Sequence, residues 1–216
     1  MRIGIVGGTG KEGVGLGLRW AQAGHAVIIG SRDPERARAK AAELAAATPG
    51  GRVEGRSNRE AAAAADVVVL TVPATGLQAT LPELREVCRG KVVVSTVVPL
   101  TFGGGRLFTP PPQGSAAEEA QELLGPEARV VASFHHIAAH ELAAGEHAIE
   151  CDLLLCGGDA EAKKAVTELG ASMGLRSVDV GALTNAGPLE GITAVLATIN
   201  RRYKLKNSGI KITGLP

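Results

Sequence analysis

A chain of 216 residues, 45% hydrophobic and 2% aromatic with a formal charge of +1, holds one large domain, or a nucleotide-binding domain with a small appendage. It is too short for a dinucleotide domain plus a long all-helical second one. The balanced charge gives no field favouring nucleic acid or a membrane surface, and no apolar run approaches a membrane span, so small anionic ligands are the expected partners.

Residues 2–19, RIGIVGGTGKEGVGLGLR, read as strand, turn and helix. Ile3, Ile5 and Val6 make a short buried strand, and Gly8, Gly10 and Gly13 follow with the spacing G-x-G-x-x-G. In a dinucleotide site the first glycine makes the tight turn, the second lets backbone approach a pyrophosphate, and the third brings helix against sheet. The diphosphate then caps free helix N–H groups. A nucleotide-hydrolysing phosphate loop is excluded, because Gly13 is followed by Val14 and Gly15 rather than by Lys and Ser or Thr. The short-chain dehydrogenase pattern is excluded as well: Val14 stands where it needs glycine, and Tyr203, the single tyrosine, lacks the Tyr-x-x-x-Lys spacing.

A second strand is expected over 25–30, ending at Ser31-Arg32-Asp33-Pro34. An NAD site carries Asp or Glu near the end of this strand, whereas a 2′-phosphate is met by Arg. Ser31 and Arg32 therefore read as NADP. Asp33 is a good helix N-cap and Pro34 a good first helical residue, which puts Arg36 in the first turn, able to face the same phosphate. Asp33 is the acid that could reverse the assignment.

An alanine-rich helix over 36–47 breaks at Thr48-Pro49-Gly50-Gly51, and 53–56 offers a weak third strand. Ser57 and Glu60 have capping-box spacing and open a helix through the following alanines. Residues 67–72 are apolar throughout, as in a parallel strand covered on both faces. Pro73 and Ala74 lie just past its end, where such sheets bind ligands, although Pro73 also reads as a plain strand stop. Helical material over 75–89, interrupted near Pro82, leads to a fifth strand over 92–98. The stretch after Pro99, with three glycines at 103–105 and three prolines at 110–112, is a long loop that reads either as a lid or as plain flexible chain. Ser115 and Glu118 form a second capping-box pair, opening a helix to Leu124. Strands over 130–134, 151–156 and 176–180, with a helix over 160–173 between the last two, precede a final helix over 184–202 whose end is basic, with Arg201, Arg202, Lys204, Lys206 and Lys211. The predicted architecture is α/β: a Rossmann doubly wound parallel sheet with a small C-terminal α/β extension.

His136 and His140 are four apart and would share a helical face, but the H-E-x-x-H order is missing and the segment begins as a strand, so no metal site is expected. Cys88, Cys151 and Cys156 contain no C-x-x-C pair and are odd in number, which points to reduced thiols rather than a disulfide framework. With the start MRIGIV running straight into a strand, a soluble cytoplasmic protein is expected.

The stretches VGGTGKEGVGLGLR, IIGSRDPERARAK, VVVLTVP, KVVVSTVVP, GSAAEEA, HHIAA, GALTN and the closing GIK together resemble the NADPH-dependent reductases of the deazaflavin coenzyme F420, nearly end to end. The resemblance implies hydride transfer between NADP(H) and F420 by a homodimer, with NADP in an N-terminal Rossmann half, residues 1–148, and the deazaflavin in a cleft closed by a smaller half, residues 149–216. It implies NADP contacts at Thr9, Gly10, Lys11, Glu12, Ser31, Arg32, Arg36, Ala74, Gln78, Gly104 and Ala139, and deazaflavin contacts at His135, Ile137 and Thr193. The chain departs from the family at Gly191, where serine is familiar, and at Ser208, where an apolar residue is.

Two other functions are compatible with a Rossmann chain: a small NADP-dependent imine or keto-acid reductase, and a non-enzymatic dinucleotide-binding redox sensor. The first needs a placed proton donor and the second a partner- or DNA-reading segment, and neither stands out. His135 itself reads either as a deazaflavin contact that positions without acid or base chemistry, or as a buried structural histidine.

Overall fold

The valine- and isoleucine-rich runs become strands and the alanine-rich runs helices. The computed structural model describes residues 1–103, 106–145 and 147–215. Its strands are β1 (Arg2–Val6), β2 (Ala26–Ser31), β3 (Arg52–Ser57), β4 (Val67–Leu70), β5 (Val92–Ser95), β6 (Arg129–Ser133), β7 (Asp152–Gly157) and β8 (Arg176–Asp179). Its helices are α1 (Lys11–Gln22), α2 (Pro34–Ala47), α3 (Asn58–Ala64), α4 (Leu77–Thr80), α5 (Ala116–Leu124), α6 (Ala139–Ala143), α7 (Ala160–Ala171) and α8 (Ala186–Tyr203).

The strands form one sheet in the order β3-β2-β1-β4-β5-β6-β7-β8. β1 to β6 run parallel, β7 is antiparallel to β6, and β8 is parallel to β7. The C-terminal extension thus continues the same sheet in the reverse direction. Between β1 and β4 the winding changes direction, which opens a crevice at the carboxyl ends of the strands, the usual ligand position in such sheets.

Alternate residues of the central strands feed two cores. Ile3, Ile5, Val67 and Val69 pack with Leu16, Trp20 and Ile29 on one face. Val6, Val68 and Leu70 pack with Leu77, Leu81 and Leu84 on the other. Burial on both faces is why these strands carry continuous apolar runs instead of alternating ones.

Local differences from the sequence reading have local causes. β4 and β5 stop at Leu70 and Ser95, short of the predicted ends, because the chain turns out of the sheet before Pro73 and Pro99. The helix expected over 75–89 is split into a 3₁₀ turn at Ala74–Gly76, α4, and a 3₁₀ turn at Pro82–Leu84, since Pro82 lacks the N–H that would continue α4. Ser57 and Glu60 form the full reciprocal capping box. The second capping pair is only half of one: Ser115 accepts the Glu118 N–H, but the Glu118 carboxylate takes the Ser115 hydroxyl. The Ala116 and Ala117 N–H groups go instead to the buried carboxylate of Glu190, reaching from α8 at 3.0 Å each. The glycine- and proline-rich loop after β5 folds back on itself, with Leu100 bridging Phe108 and the Thr101 N–H donating to the Leu107 carbonyl at 2.8 Å.

Candidate functional site

The glycine turn at the end of β1 is built as the motif requires, with two of the glycine roles reassigned. Gly7, not Gly8, makes the tight turn: its φ is +76°, a region that favours glycine, and a Cβ there would lie 2.7 Å from Val72 Cγ1. A Cβ on Gly8 would lie 2.8 Å from the Ile5 carbonyl oxygen. One on Gly13 would lie 2.6 Å from Gly8 Cα, so the third glycine seats α1 on its own turn. Contact between helix and sheet falls to Gly17, whose Cβ would be 3.2 Å from Ile29 and 3.4 Å from Ile5. A Cβ on Gly10 would meet only the Gly7 carbonyl oxygen, at 3.9 Å, so this backbone is open to a ligand.

No side chain caps α1 at Gly10. Its first-turn N–H groups, at the positive end of the helix dipole, are left for an anion. Lys11 is exposed and Thr9 half-buried beside them. Glu12 Oε1 is enclosed without a partner among the described residues, and burial pushes its carboxyl up to about 8 despite the helix dipole. Asn58 holds the turn itself: its side-chain oxygen accepts the Gly7 N–H at 3.0 Å. Sequence reasoning missed Asn58, whose sign was a carboxamide in the first turn of α3 directly behind the capping serine.

At the end of β2 Asp33 is taken up by the helix that follows it. Its Oδ1 accepts from the Glu35 and Arg36 N–H groups as the N-cap of α2. Ser31 is buried, and its hydroxyl accepts from the Asp33 N–H at 3.1 Å. Arg32 and Arg36 are exposed and have no ion-pair partner among the described residues, whereas neighbouring Arg38 pairs with Glu35 at 2.5 Å. Ser31 and Arg32 form one wall of a 270 Å³ cleft whose other wall is Arg59, Thr80, Glu83 and Leu84. Arg36 stands outside that cleft, and Arg59, which does line it, was not among the sequence candidates.

Past β4, Pro73 is exposed and Ala74 opens the following 3₁₀ turn. The Gln78 amide donates to the Glu119 carboxylate. Gly104 lies outside the described residues.

At the exit of β6 the backbone takes an uncommon conformation. Phe134 has φ +65°, a cost of about 1 to 3 kcal/mol for a bulky residue. Full burial and an edge-on contact with Trp20, ring centroids 5.5 Å apart, hold it there. The turn places His135 inside, 6% exposed with neither ring nitrogen partnered among the described residues, and burial together with His136 pushes its pKa down to about 3. Ile137 is buried in the core that contains Trp20. Thr193, on α8, donates its hydroxyl to the His135 carbonyl at 3.1 Å. The three predicted deazaflavin residues are thus brought together, but Thr193 is tied to His135 backbone, and both His135 and Ile137 are buried side chains.

His136 puts Nε2 2.8 Å from the Asp152 carbonyl oxygen and lines a 410 Å³ cavity with Glu141, Cys151 and Ser208. It precedes α6, so it shares no helical face with His140. Among the described residues no group of three or more His, Cys, Asp or Glu side chains could hold a metal. Ala139 begins α6, which presses on α1 so closely that a Cβ on Gly15 would lie 2.6 Å from Leu142 Cβ. Arg19 fixes this segment by donating to the carbonyls of Leu142, Glu141 and His147 at 3.1, 2.6 and 2.8 Å. In the sequence Arg19 is one of many arginines and carries no mark. The two departures are accommodated: a Cβ on Gly191 would meet the Phe108 ring at 3.6 Å, an ordinary contact, and Ser208 donates to the Leu196 carbonyl.

Residues 2–99 match the family model described as NADP oxidoreductase, coenzyme F420-dependent. Over its whole length the chain is 41% identical to an F420-dependent NADP reductase of Methanothermobacter thermautotrophicus, covering 96% of that protein. It is 39% identical to one of Methanocaldococcus jannaschii, covering 99% of it. A crystal structure from Arthrobacter sp. FB24, provisionally assigned as an F420-dependent NADP reductase, superposes with a TM-score of 0.81 at 28% identity, with 98% of each chain covered.

Proposed function

This chain belongs to the coenzyme F420-dependent NADP oxidoreductase family, and we propose that its open N-terminal turn holds NADP(H) while the β6 exit and α8 hold the deazaflavin. It is an oxidoreductase that moves a hydride between NADP(H) and F420. Both coenzymes bring the redox chemistry with them, the nicotinamide carbon and the deazaflavin carbon exchanging the hydride. The protein contributes binding, orientation and electrostatics.

The observation that carries the placement of NADP is an uncapped helix N-terminus next to two arginines without ion pairs among the described residues. Donors left open in this way fit a diphosphate and a 2′-phosphate. Gly10 gives the backbone its close approach while Gly8 and Gly13 pack the turn beneath it, and Ser31, Arg32 and Arg36 meet the 2′-phosphate. Thr9, Lys11, Pro73, Ala74, Gln78 and Ala139 complete the surround. Glu12, with its carboxyl held up to about 8, keeps its proton at neutral pH. It can then sit beside a diphosphate without repelling it and donate a hydrogen bond.

On the deazaflavin side the residues position rather than titrate. His135, pushed down to about 3, is a neutral imidazole at physiological pH, able to donate from one nitrogen and accept at the other without carrying charge. Thr193 locks the His135 backbone, and Ile137 offers a rigid apolar surface. Holding two flat rings in contact then supplies the main rate advantage. Imine or keto-acid reduction, which needs a proton donor titrating near neutrality, is not favoured, and neither is a sensor role.

The division at residues 148 and 149 follows the point where the sheet reverses into β7. A homodimer is supported by the exposed apolar residues Val195 and Tyr203 on α8, with Leu205 just beyond. A cytoplasmic location is supported by three free, buried cysteines. Among the described residues no helix is long and apolar enough to cross a membrane.

Mixing the protein with NADPH and oxidised F420 tests the function. Bleaching of the deazaflavin's visible absorbance, much faster with NADPH than with NADH, is expected, and an unchanged spectrum overturns it.

A further inference from the structure

Glu190 is fully buried, and its carboxylate reaches from the first half of α8 into the N-terminus of α5. Its Oε2 accepts the Ala116 N–H and its Oε1 the Ala117 N–H, each at 3.0 Å. An ordinary cap for this helix is already present, since Ser115 accepts the Glu118 N–H from within the same turn. Burying a carboxylate costs stability that a short capping side chain on α5 would not. What Glu190 adds over such a cap is a link to a second element.

That link is made twice. One turn earlier on α8, a Cβ on Gly187 would lie 2.8 Å from the Gly114 carbonyl oxygen, so the start of α8 rests directly on the backbone leading into α5. The close approach sets the distance between the two elements, and the two-oxygen grip of Glu190 sets how far α8 can slide or turn. One turn later, on a neighbouring part of the same face, Thr193 donates its hydroxyl to the His135 carbonyl at 3.1 Å. Three residues of continuous helix join the two contacts, about 4.5 Å along the axis, so a shift at Glu190 is carried to Thr193.

We propose that Glu190 is a positioning residue of the deazaflavin site, holding α8 at the height where Thr193 meets the His135 backbone. The proposal rests on the placement of the deazaflavin at the β6 exit and α8. The grip depends on charge, because an ionised carboxylate accepts at both oxygens, whereas a proton turns one of them into a donor facing an N–H. Burial first, and then Glu118 and Glu119 on α5, raise the Glu190 carboxyl to about 7. From β7 the titratable group facing it is Cys156, whose thiol is pushed up to about 12 by burial and by Glu190 and stays neutral. The grip therefore tightens as pH rises through about 7.

Glu190→Gln cannot ionise and imitates the protonated form at every pH, which supplies the test. The KM for oxidised F420 at saturating NADPH is measured for wild type and variant from about pH 6 to 8, spanning the titration of Glu190. Any titration of F420 itself is common to both proteins and cancels in their ratio. The ratio of variant to wild type is expected near unity at the acid end and roughly 3- to 10-fold at the alkaline end, about the worth of one hydrogen bond, with the Kd for NADP⁺ unchanged. A ratio that does not vary with pH, or a Kd for NADP⁺ that moves with it, would show a general loss of structure and overturn the proposal. Ala116→Pro attacks the grip from α5 by deleting one donor at the first helical position, where proline fits, behind a Ser115 that is already extended at ψ 158°. It should raise the KM for F420 at the alkaline end, and no rise there would also overturn the proposal. Thr193→Ala keeps the premise separate. If it leaves the KM for F420 unchanged, the deazaflavin does not sit on this wall and the proposal falls with that reading; if it raises the KM and Glu190→Gln does not, the proposal alone falls.

Discussion

The two ends of the sheet treat their polar groups in opposite ways. Around β1, α1 and the start of α2 the chain leaves them open: an uncapped first turn and, among the described residues, Arg32 and Arg36 without ion pairs and a carboxyl oxygen of Glu12 without a partner. Around β7, β8 and α8 it closes them. Asp152 receives Arg176 at 2.9 and 2.7 Å and the Ile212 N–H at 2.6 Å, and Glu190 receives two helix N–H groups. Unsatisfied donors are costly unless a ligand or water meets them, so the open end fits the binding surface proposed above and the closed end serves as the frame. His135 breaks the pattern: it lies against the closed end, yet neither of its buried ring nitrogens has a partner among the described residues.

The hardest test of the contrast is to open the closed end. Asp152→Asn leaves Arg176 and the Ile212 N–H poorly met, and we expect about 3 kcal/mol of lost stability in urea unfolding, with NADP⁺ affinity unchanged. Arg176 holds the native Asp152 carboxyl down at about 2, against 3.8 ordinarily. The wild-type contribution is therefore present above pH 3.8 and lost as pH falls toward 2. The variant should lack that acid limb.

The reverse test removes a group the open end reserves for ligand. Arg32→Ala should cost about 1.5 to 3 kcal/mol of NADP⁺ binding, roughly 10- to 150-fold, and leave the unfolding midpoint where it was. A stability loss without an affinity loss would place Arg32 in the frame instead.

Glu190 sharpens the comparison, because the closed end there carries a titratable cost. Burial raises its carboxyl from 4.5 to about 7 against the pull of the two N–H donors. The native state therefore holds a proton that the unfolded chain has released, and stability falls as pH rises from about 4.5 to 7. Glu190→Gln should remove that slope and cost about 1 kcal/mol, since its NH₂ group opposes one of the backbone donors.

The smallest expected effect is at His135. A histidine that stays neutral down to about pH 3 cannot be an acid catalyst near neutrality, so His135→Ala should lower turnover less than about tenfold, where loss of a general acid costs about 100- to 10,000-fold. The kcat profile between about pH 5 and 8 should keep its shape. A loss of the larger size, rescued by small exogenous acids, would reopen the reductases that need a proton donor.

Much of the fold was legible in the sequence because the signals are local. Val-Val-Val-Leu at 67–70 has the β-branched run of a strand covered on both faces, Ser57 and Glu60 satisfy each other within one turn, and Asp33 caps the helix next to it. The residues proposed for the 2′-phosphate could be named from the sequence for the same reason, since Ser31, Arg32 and Arg36 lie within a few residues of one another. The tertiary structure decided what depends on residues far apart in sequence. Asn58 reaches back to Gly7 across 51 positions, Glu190 to Ala116 across 74, and Arg19 to Leu142 across 123. Gly7 rather than Gly8 took the tight turn because Val72, just past the end of the neighbouring strand β4, fills the space a Cβ would need. Periodicity, capping and turn chemistry act over a few residues and can be read from order alone. Which buried polar group finds a partner, and which stays open for a ligand, depends on how the packed elements meet.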